Sequence, residues 1–134
     1  MVFLDSNVPM YIIGAPHDNR TRALAMLDRL ITAGTKLVTD AEVFQEILHR
    51  YAAINRTEAI QPAFDTMSQI CDQVYAVEYA DVESAKSILY AYPRLSPRDA
   101  IHIAIMRRAD VTDILSFDAG FDEVPGIYRI TAQG

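Results

Sequence analysis

Short apolar runs alternate with helical stripes along this chain. Val2 to Leu4 is apolar and stops at Asp5-Ser6-Asn7, the pattern of a buried strand entering a turn. Val8 to Ile13 predicts a short helix, broken at Gly14-Ala15-Pro16. From Arg20 to Ile31 apolar residues recur at 23, 24, 27, 30 and 31, a stripe closed by Gly34. Lys36 to Val38 predicts a second strand. Thr39-Asp40-Ala41-Glu42 fits a capping box, with Thr39 as N-cap and Glu42 at N3, and the helix after it should bury Phe44, Ile47, Leu48 and Tyr51. Thr57 to Cys71 predicts a further helix with Ile60, Phe64, Met67 and Ile70 on one side, and Val74 to Val77 a buried strand. Asp81 to Tyr90 reads as helix up to Tyr92-Pro93. Ser96-Pro97-Arg98-Asp99 opens the next helix, with Ser96 as N-cap and Pro97 at N1, and that helix runs to about Ala109. Ile114 to Phe117 and Tyr128 to Ile130 predict the last strands. Strands alternating with helices predict an α/β fold with a mainly parallel sheet, in which ligands bind beyond the carboxyl ends of the strands.

Four acids fall at the boundaries of these elements: Asp5 and Asp118 after strands, Asp99 at a helix start, Glu46 a turn or two into a helix. Gathered at one sheet edge, such carboxylates repel one another unless a divalent cation joins them. Oxygen-only clusters suit Mg²⁺ or Mn²⁺ rather than zinc, and such ions bring phosphate oxygens and an attacking water together. Each acid also has a plainer reading. Asp5 and Asp118 could make turns, Asp99 could close a capping box, and Glu46 could pair with Arg50 four residues on. Their joint placement favours the common site. His102, among Ile and Ala residues, reads first as a hydrogen-bonded core histidine. One cysteine and scattered His17, His49 and His102 lack zinc-ligand spacing.

Composition narrows the picture. The 134 residues, 51% of them hydrophobic, predict one domain over 1–134 with a substantial core. The lone Cys71 fits a reducing cytoplasm. Met1-Val2-Phe3-Leu4-Asp5 has neither the basic start nor the length of a signal peptide or membrane anchor. A net charge of −6 argues against simple electrostatic binding of nucleic acid, so a nucleic-acid ligand would need a local basic path. Arg94 and Arg98, next to Asp99 in the chain, are the candidates for it.

The segments VFLDSNV, TDAEVFQEILHRY, SPRDAIHIAI and ILSFDAGFDEVPGI, in that order, resemble PIN-domain proteins, and most of all the VapC toxins of toxin–antitoxin pairs. The resemblance covers nearly the whole chain. It implies a three-layer α/β/α fold and an Mg²⁺- or Mn²⁺-dependent ribonuclease, a hydrolase of phosphodiester bonds. It further implies a cognate VapB-like antitoxin and a homodimer. Asp5 and Asp99 match the family's primary metal-holding acids, Glu46 its helix glutamate, and Asp118 the acid after the fourth strand. Ser6 matches the hydroxyl residue after the first acid, placed to hydrogen-bond a phosphate oxygen or a water. Ser116 stands where the family often has Thr or Ser. Asp122 adds a fifth acid at a position that varies in the family. An antitoxin tail would find the acidic pocket and apolar surface near Val8, Tyr11, Ile12, Phe44 and Tyr51.

Three rivals share parts of this pattern. A phosphotransfer receiver needs an acidic pair after the first strand, but Ser6-Asn7 follows Asp5, and no lysine lies beyond Lys86. A haloacid-dehalogenase-like phosphatase needs an Asp where Asn7 stands. A catalytically silent interaction module would use the acids only as caps.

Overall fold

The computed structural model describes residues 1–131, so the last three residues of the predicted domain lie outside the described ones. Five strands form one sheet: β1 (Val2–Leu4), β2 (Leu37–Asp40), β3 (Gln73–Tyr75), β4 (Asp113–Leu115) and β5 (Tyr128–Ile130), in the order β3-β2-β1-β4-β5. Every pairing is parallel, with Phe3 opposite Val38 on one side and Ile114 on the other. The chain winds outward from β1 to β3, then crosses back to β4. Right-handed crossovers therefore put α1 (Asn7–Ile13), α2 (Asp18–Thr32), α3 (Ala41–Ala53) and α4 (Ile60–Ile70) on one face. They put α5 (Tyr79–Ala91) and α6 (Pro97–Arg108) on the other. This is the three-layer α/β/α arrangement, and it reverses direction between β1 and β4, where such sheets bind ligands.

The central strands are apolar on both faces because helices cover both: Phe3, Leu4, Ile114 and Leu115 are fully buried. α6 lies against them with Ile103, Ile105 and Met106, each fully buried. The edges behave differently. Val74, expected in a buried strand, is 45% exposed because β3 is an edge strand with a neighbour on one side only. An apolar run cannot tell a central strand from an edge.

Two local expectations change. Thr39 is not the cap of α3. β2 runs two residues further, the Thr39 hydroxyl donates to the Leu4 carbonyl at 2.9 Å, and Asp40 caps the helix by accepting from the Val43 amide at 2.9 Å. The buried stripe of α3 is Val43, Ile47 and Tyr51, while Leu48 is 46% exposed. The cap of α6 is as expected, with Ser96 Oγ accepting from the Asp99 amide at 3.1 Å behind Pro97.

Candidate active site

β1 and β4 end side by side, and the residues just past them start the site. The Asp5 amide continues the ladder by donating to the Leu115 carbonyl, so the Asp5 side chain leaves the sheet at a fixed point. Its carboxylate is buried and held by three donors: the Ser6 amide at 2.8 Å, Ser116 Oγ at 2.6 Å and Asn7 Nδ2 at 3.4 Å. Asn7 also donates to Ser116 Oγ at 3.2 Å and accepts from the Phe117 amide, locking the two strand ends together.

Glu46 reaches the same place from α3. It does not pair with Arg50. One oxygen accepts from Ser6 Oγ at 2.7 Å, the other from His102 Nε2 at 2.6 Å. The second ring nitrogen of His102, Nδ1, faces Asp40 Oδ2 at 2.7 Å. Ionised carboxylates only accept, so both ring nitrogens carry protons and His102 is an imidazolium wholly inside the protein. The core reading of His102 therefore holds, but in charged form. Asp99, one turn earlier on α6, completes the group. Among the described residues its carboxylate has no hydrogen-bond donor. Single donor atoms from Asp5, Glu46, Asp99 and His102 all lie within 4.8 Å of one another.

This is a cluster short of positive charge. Burial, followed by the neighbouring Asp5 carboxylate, pushes Asp99 up to about 7. Asp5 is also raised, chiefly by burial, although His102 and the Ser116 hydroxyl oppose that. For Glu46 burial acts upward too, but the His102 hydrogen bond and charge and the Ser6 hydroxyl outweigh it, leaving Glu46 below its ordinary value. Burial would lower His102; the bonds to Asp40 and Glu46 win and hold it well above its ordinary value. With both nitrogens of His102 committed to carboxylates, the donors left for an ion are the oxygens of Asp5, Glu46 and Asp99. An all-oxygen set fits a hard divalent cation.

The other sequence-predicted residues divide. Asp118 is exposed and accepts from the Gly120 amide at 2.8 Å, the turn role, while its charge helps raise Asp99. Asp122 lies outside the group and is held by Arg129 at 3.0 Å through two parallel bonds. Arg98 stands at the rim, 3.6 Å from Glu42. The Arg94 side chain is 86% exposed and meets Glu123 at 3.5 Å. Of the apolar residues suggested for a partner, Val8 and Tyr51 belong to the core, and Phe44 packs edge-on against Phe64. Ser6 and Ser116 both donate to cluster carboxylates.

Sequence reasoning overlooked Asp40 and Asn7. A signal existed for Asp40: it stands at the carboxyl end of a strand of a parallel sheet, so it had to emerge at the same edge as Asp5. The Cys71 thiol takes no part; burial pushes it up to about 12.

Comparison with known proteins agrees with this fold. Residues 2–127 match the PIN domain. The chain is 52% identical to a VapC ribonuclease of Mycobacterium bovis and to ribonuclease VapC13 of Mycobacterium tuberculosis, over 97% of this chain and 99% of each relative. Ribonuclease VapC23 of Mycobacterium tuberculosis is 36% identical over 88% of this chain and 93% of its own. Among solved structures, Mycobacterium tuberculosis VapC20, a sarcin-ricin loop cleaving toxin, superposes with a TM-score of 0.72 at 20% identity, over 88% of this chain and 90% of that one. VapBC2 of Rickettsia felis, bound to a promoter DNA fragment, gives 0.73 at 12% identity, over 97% and 98%. At these identities the structures show a shared fold.

Proposed function

The chain belongs to the PIN domain family, among its VapC-like members, and from that premise we propose that it is the toxin of a toxin–antitoxin pair, an endoribonuclease working with Mg²⁺ or Mn²⁺. The observation that carries the reading is the group formed by Asp5, Glu46 and Asp99, whose donor atoms lie within 4.8 Å of one another with one buried cation, His102, beside them. A silent module would leave these like charges buried without purpose.

Asp5, Glu46 and Asp99 hold the ion, with Asp118 near enough to steady its outer side; Asp122, engaged by Arg129, has no part in it. A divalent ion bound there supplies a Lewis acid for the scissile phosphate and a water of lowered pKa. The chain does the positioning. Ser116 and Asn7 fix the Asp5 carboxylate, Ser6 and His102 fix Glu46, and Asp40 fixes His102. Arg98 at the rim offers a guanidinium to a phosphate oxygen. Arg94, whose solvated pair with Glu123 a phosphate can replace, offers a second. Residues 1–134 act as one domain, in the cytoplasm where RNA is met. A cognate VapB-like antitoxin restrains the activity, and the active form is a homodimer.

The test is cleavage of total cellular RNA by purified protein with Mg²⁺, with Mn²⁺ and with EDTA, alongside the Asp99→Asn variant. Cleavage that needs the metal and disappears in the variant supports the reading. Equal cleavage in EDTA, or by the variant at saturating metal, sinks it. Co-expression with the neighbouring gene, followed by gel filtration, tests the partner and the dimer.

A further inference from the structure

A groove of about 990 Å³ runs away from the acid cluster between α1, the second half of α3 and the segment leading to α4. We propose that this groove seats the single-stranded RNA on one side of the bond to be cut, with Arg50 and Arg56 holding its phosphates. The inference rests on the ribonuclease reading above and adds the path of the strand.

The groove begins at the site itself, since Ser6, Glu46 and Arg98 line its near end. A strand whose phosphate rests at the cluster must leave over adjoining surface, and this surface is continuous with it. Its charge is the second argument. The chain carries a net −6, yet three arginines, Arg50, Arg56 and Arg98, line the groove, and Glu46 is the only acid among the lining residues. Arg50 is exposed and its side chain makes no hydrogen bond or ion pair with a described residue; Arg56 meets Glu58, an exposed partner that a phosphate can replace. The walls are the third. Met10, Tyr11 and Ile13 from α1 face Ile54, which is 50% exposed, so apolar and aromatic surface alternates with guanidinium groups. That combination suits single-stranded nucleic acid, whose bases stack on flat apolar groups while cations track the backbone. At the upper end of pocket volumes, roughly 300–1,000 Å³, the groove has room for more than one phosphate group.

The measurement is fluorescence anisotropy with a labelled oligouridylate of about twelve nucleotides, within the usual span of single-strand sites. The Asp99→Asn background keeps the RNA intact, and salt is varied between about 50 and 200 mM. Arg50→Ala with Arg56→Ala should weaken binding and flatten the dependence of log K on log salt by about 1.4, from two contacts at ~0.7 each on a single strand. A charge-matched pair away from the groove, Lys36→Ala with Arg107→Ala, should leave the slope unchanged. No binding by the parent, an unchanged slope in the groove variant, or the same change in both pairs overturns the inference. So does a groove variant that binds RNA normally but no longer co-purifies with the neighbouring gene's product, which would assign the groove to a protein tail. Cleavage is scored separately with Asp99 intact. A groove effect without any metal-dependent cleavage supports the RNA path and rejects the nuclease reading instead.

Discussion

Acids in two regions of this molecule are treated in opposite ways. Asp81 on α5 is buried, and Arg108 on α6 grips both its oxygens, Nε at 2.8 Å and Nη2 at 2.9 Å. Asp122 is gripped by Arg129 in the same forked manner. Each of these carboxylates has a planar partner that matches its geometry and charge. At the ends of β1 and β4 no arginine does this. Asp5, Glu46, Asp99 and Asp40 share one imidazolium, and the nearby Arg98 faces Glu42. An acid that holds the fold together comes with its cation built in. A group of acids left short of positive charge costs stability in the free protein and gains from an ion supplied by solvent.

The strongest way to break that contrast is at Asp99. Asn retains the shape, and the Ser96 cap bonds to the Asp99 backbone amide, so the helix start survives. Loss of a metal-holding carboxylate should lower cleavage by more than about 100-fold, beyond what outer-shell changes usually cost. Melting in EDTA near pH 8 should show the variant no less stable than the parent, and more stable if the ionised Asp99 is a burden in the free protein. A variant that melts well below the parent would make Asp99 a fold-holding acid like Asp81.

The next effect concerns the one cation inside the cluster. His102→Ala leaves Asp40 buried without its partner and frees Glu46 to move. Urea unfolding should show a loss of about 3 kcal/mol, the lower end for breaking a buried pair. The activity of the folded fraction should drop about 10- to 100-fold, as for other groups that orient metal-holding side chains. Wild-type stability in this variant would mean that His102 compensates no charge.

How much of this was legible beforehand follows from what each signal reports. The helices α2 and α6, the Ser96-Pro97 start and the strand ending at Asp5 are local features and appear where expected, but the α2 stripe is only partly so: Ala23 and Leu27 are buried with Met26, while Leu24 and Ile31 are exposed. Asp5, Glu46 and Asp99 were legible because strand ends and helix starts in a parallel sheet share one edge. The burial of β3 and the fate of Leu48 depend on what covers them, which a local pattern does not contain. The same limit applies to Arg94 and Arg98, four residues apart, one turned to Glu123 and the other to the rim of the site. The charged state of His102 required knowing that Asp40 and Glu46 approach it from two sides. Nothing in the segment DAIHIAI records that.

A smaller effect should appear in the pH dependence of the metal-free protein. Asp99 stands at about 7 when folded, against an ordinary 3.8. Between those values the folded state holds a proton that the unfolded chain has lost, so stability falls as pH rises, by at most about 1.4 kcal/mol per pH unit. Asp5, raised by burial, acts in the same direction. His102, raised by its carboxylates, extends the fall above its unfolded value of 6.5. Melting temperature in EDTA should therefore decline between about pH 5 and 8. Added Mn²⁺ binds the ionised carboxylates, so its stabilisation should grow over the same range. A melting temperature that climbs with pH in EDTA would remove the case for a cation-deficient cluster.

The smallest effect falls on the other side of the comparison. Asp81 sits at N3 of α5, where its carboxylate accepts from the Glu78 amide at 2.9 Å while Arg108 holds it from α6. Asp81→Ala removes the cap and unties two packed helices at one end. Asp81 makes no bond to the residues of the acid cluster; its partners are the Glu78 amide and Arg108. The expected loss is on the order of 1 kcal/mol, the usual worth of a cap. The Arg108 side chain is 38% exposed and keeps its bond to the Ala76 carbonyl, so losing its partner strands no fully buried charge. Cleavage per folded molecule and the Mn²⁺-induced rise in melting temperature should match the parent. If Mn²⁺ stabilisation falls with Asp81→Ala, then α5 and α6 transmit strain to Asp99, and the two classes of acid are coupled through α6 instead of independent.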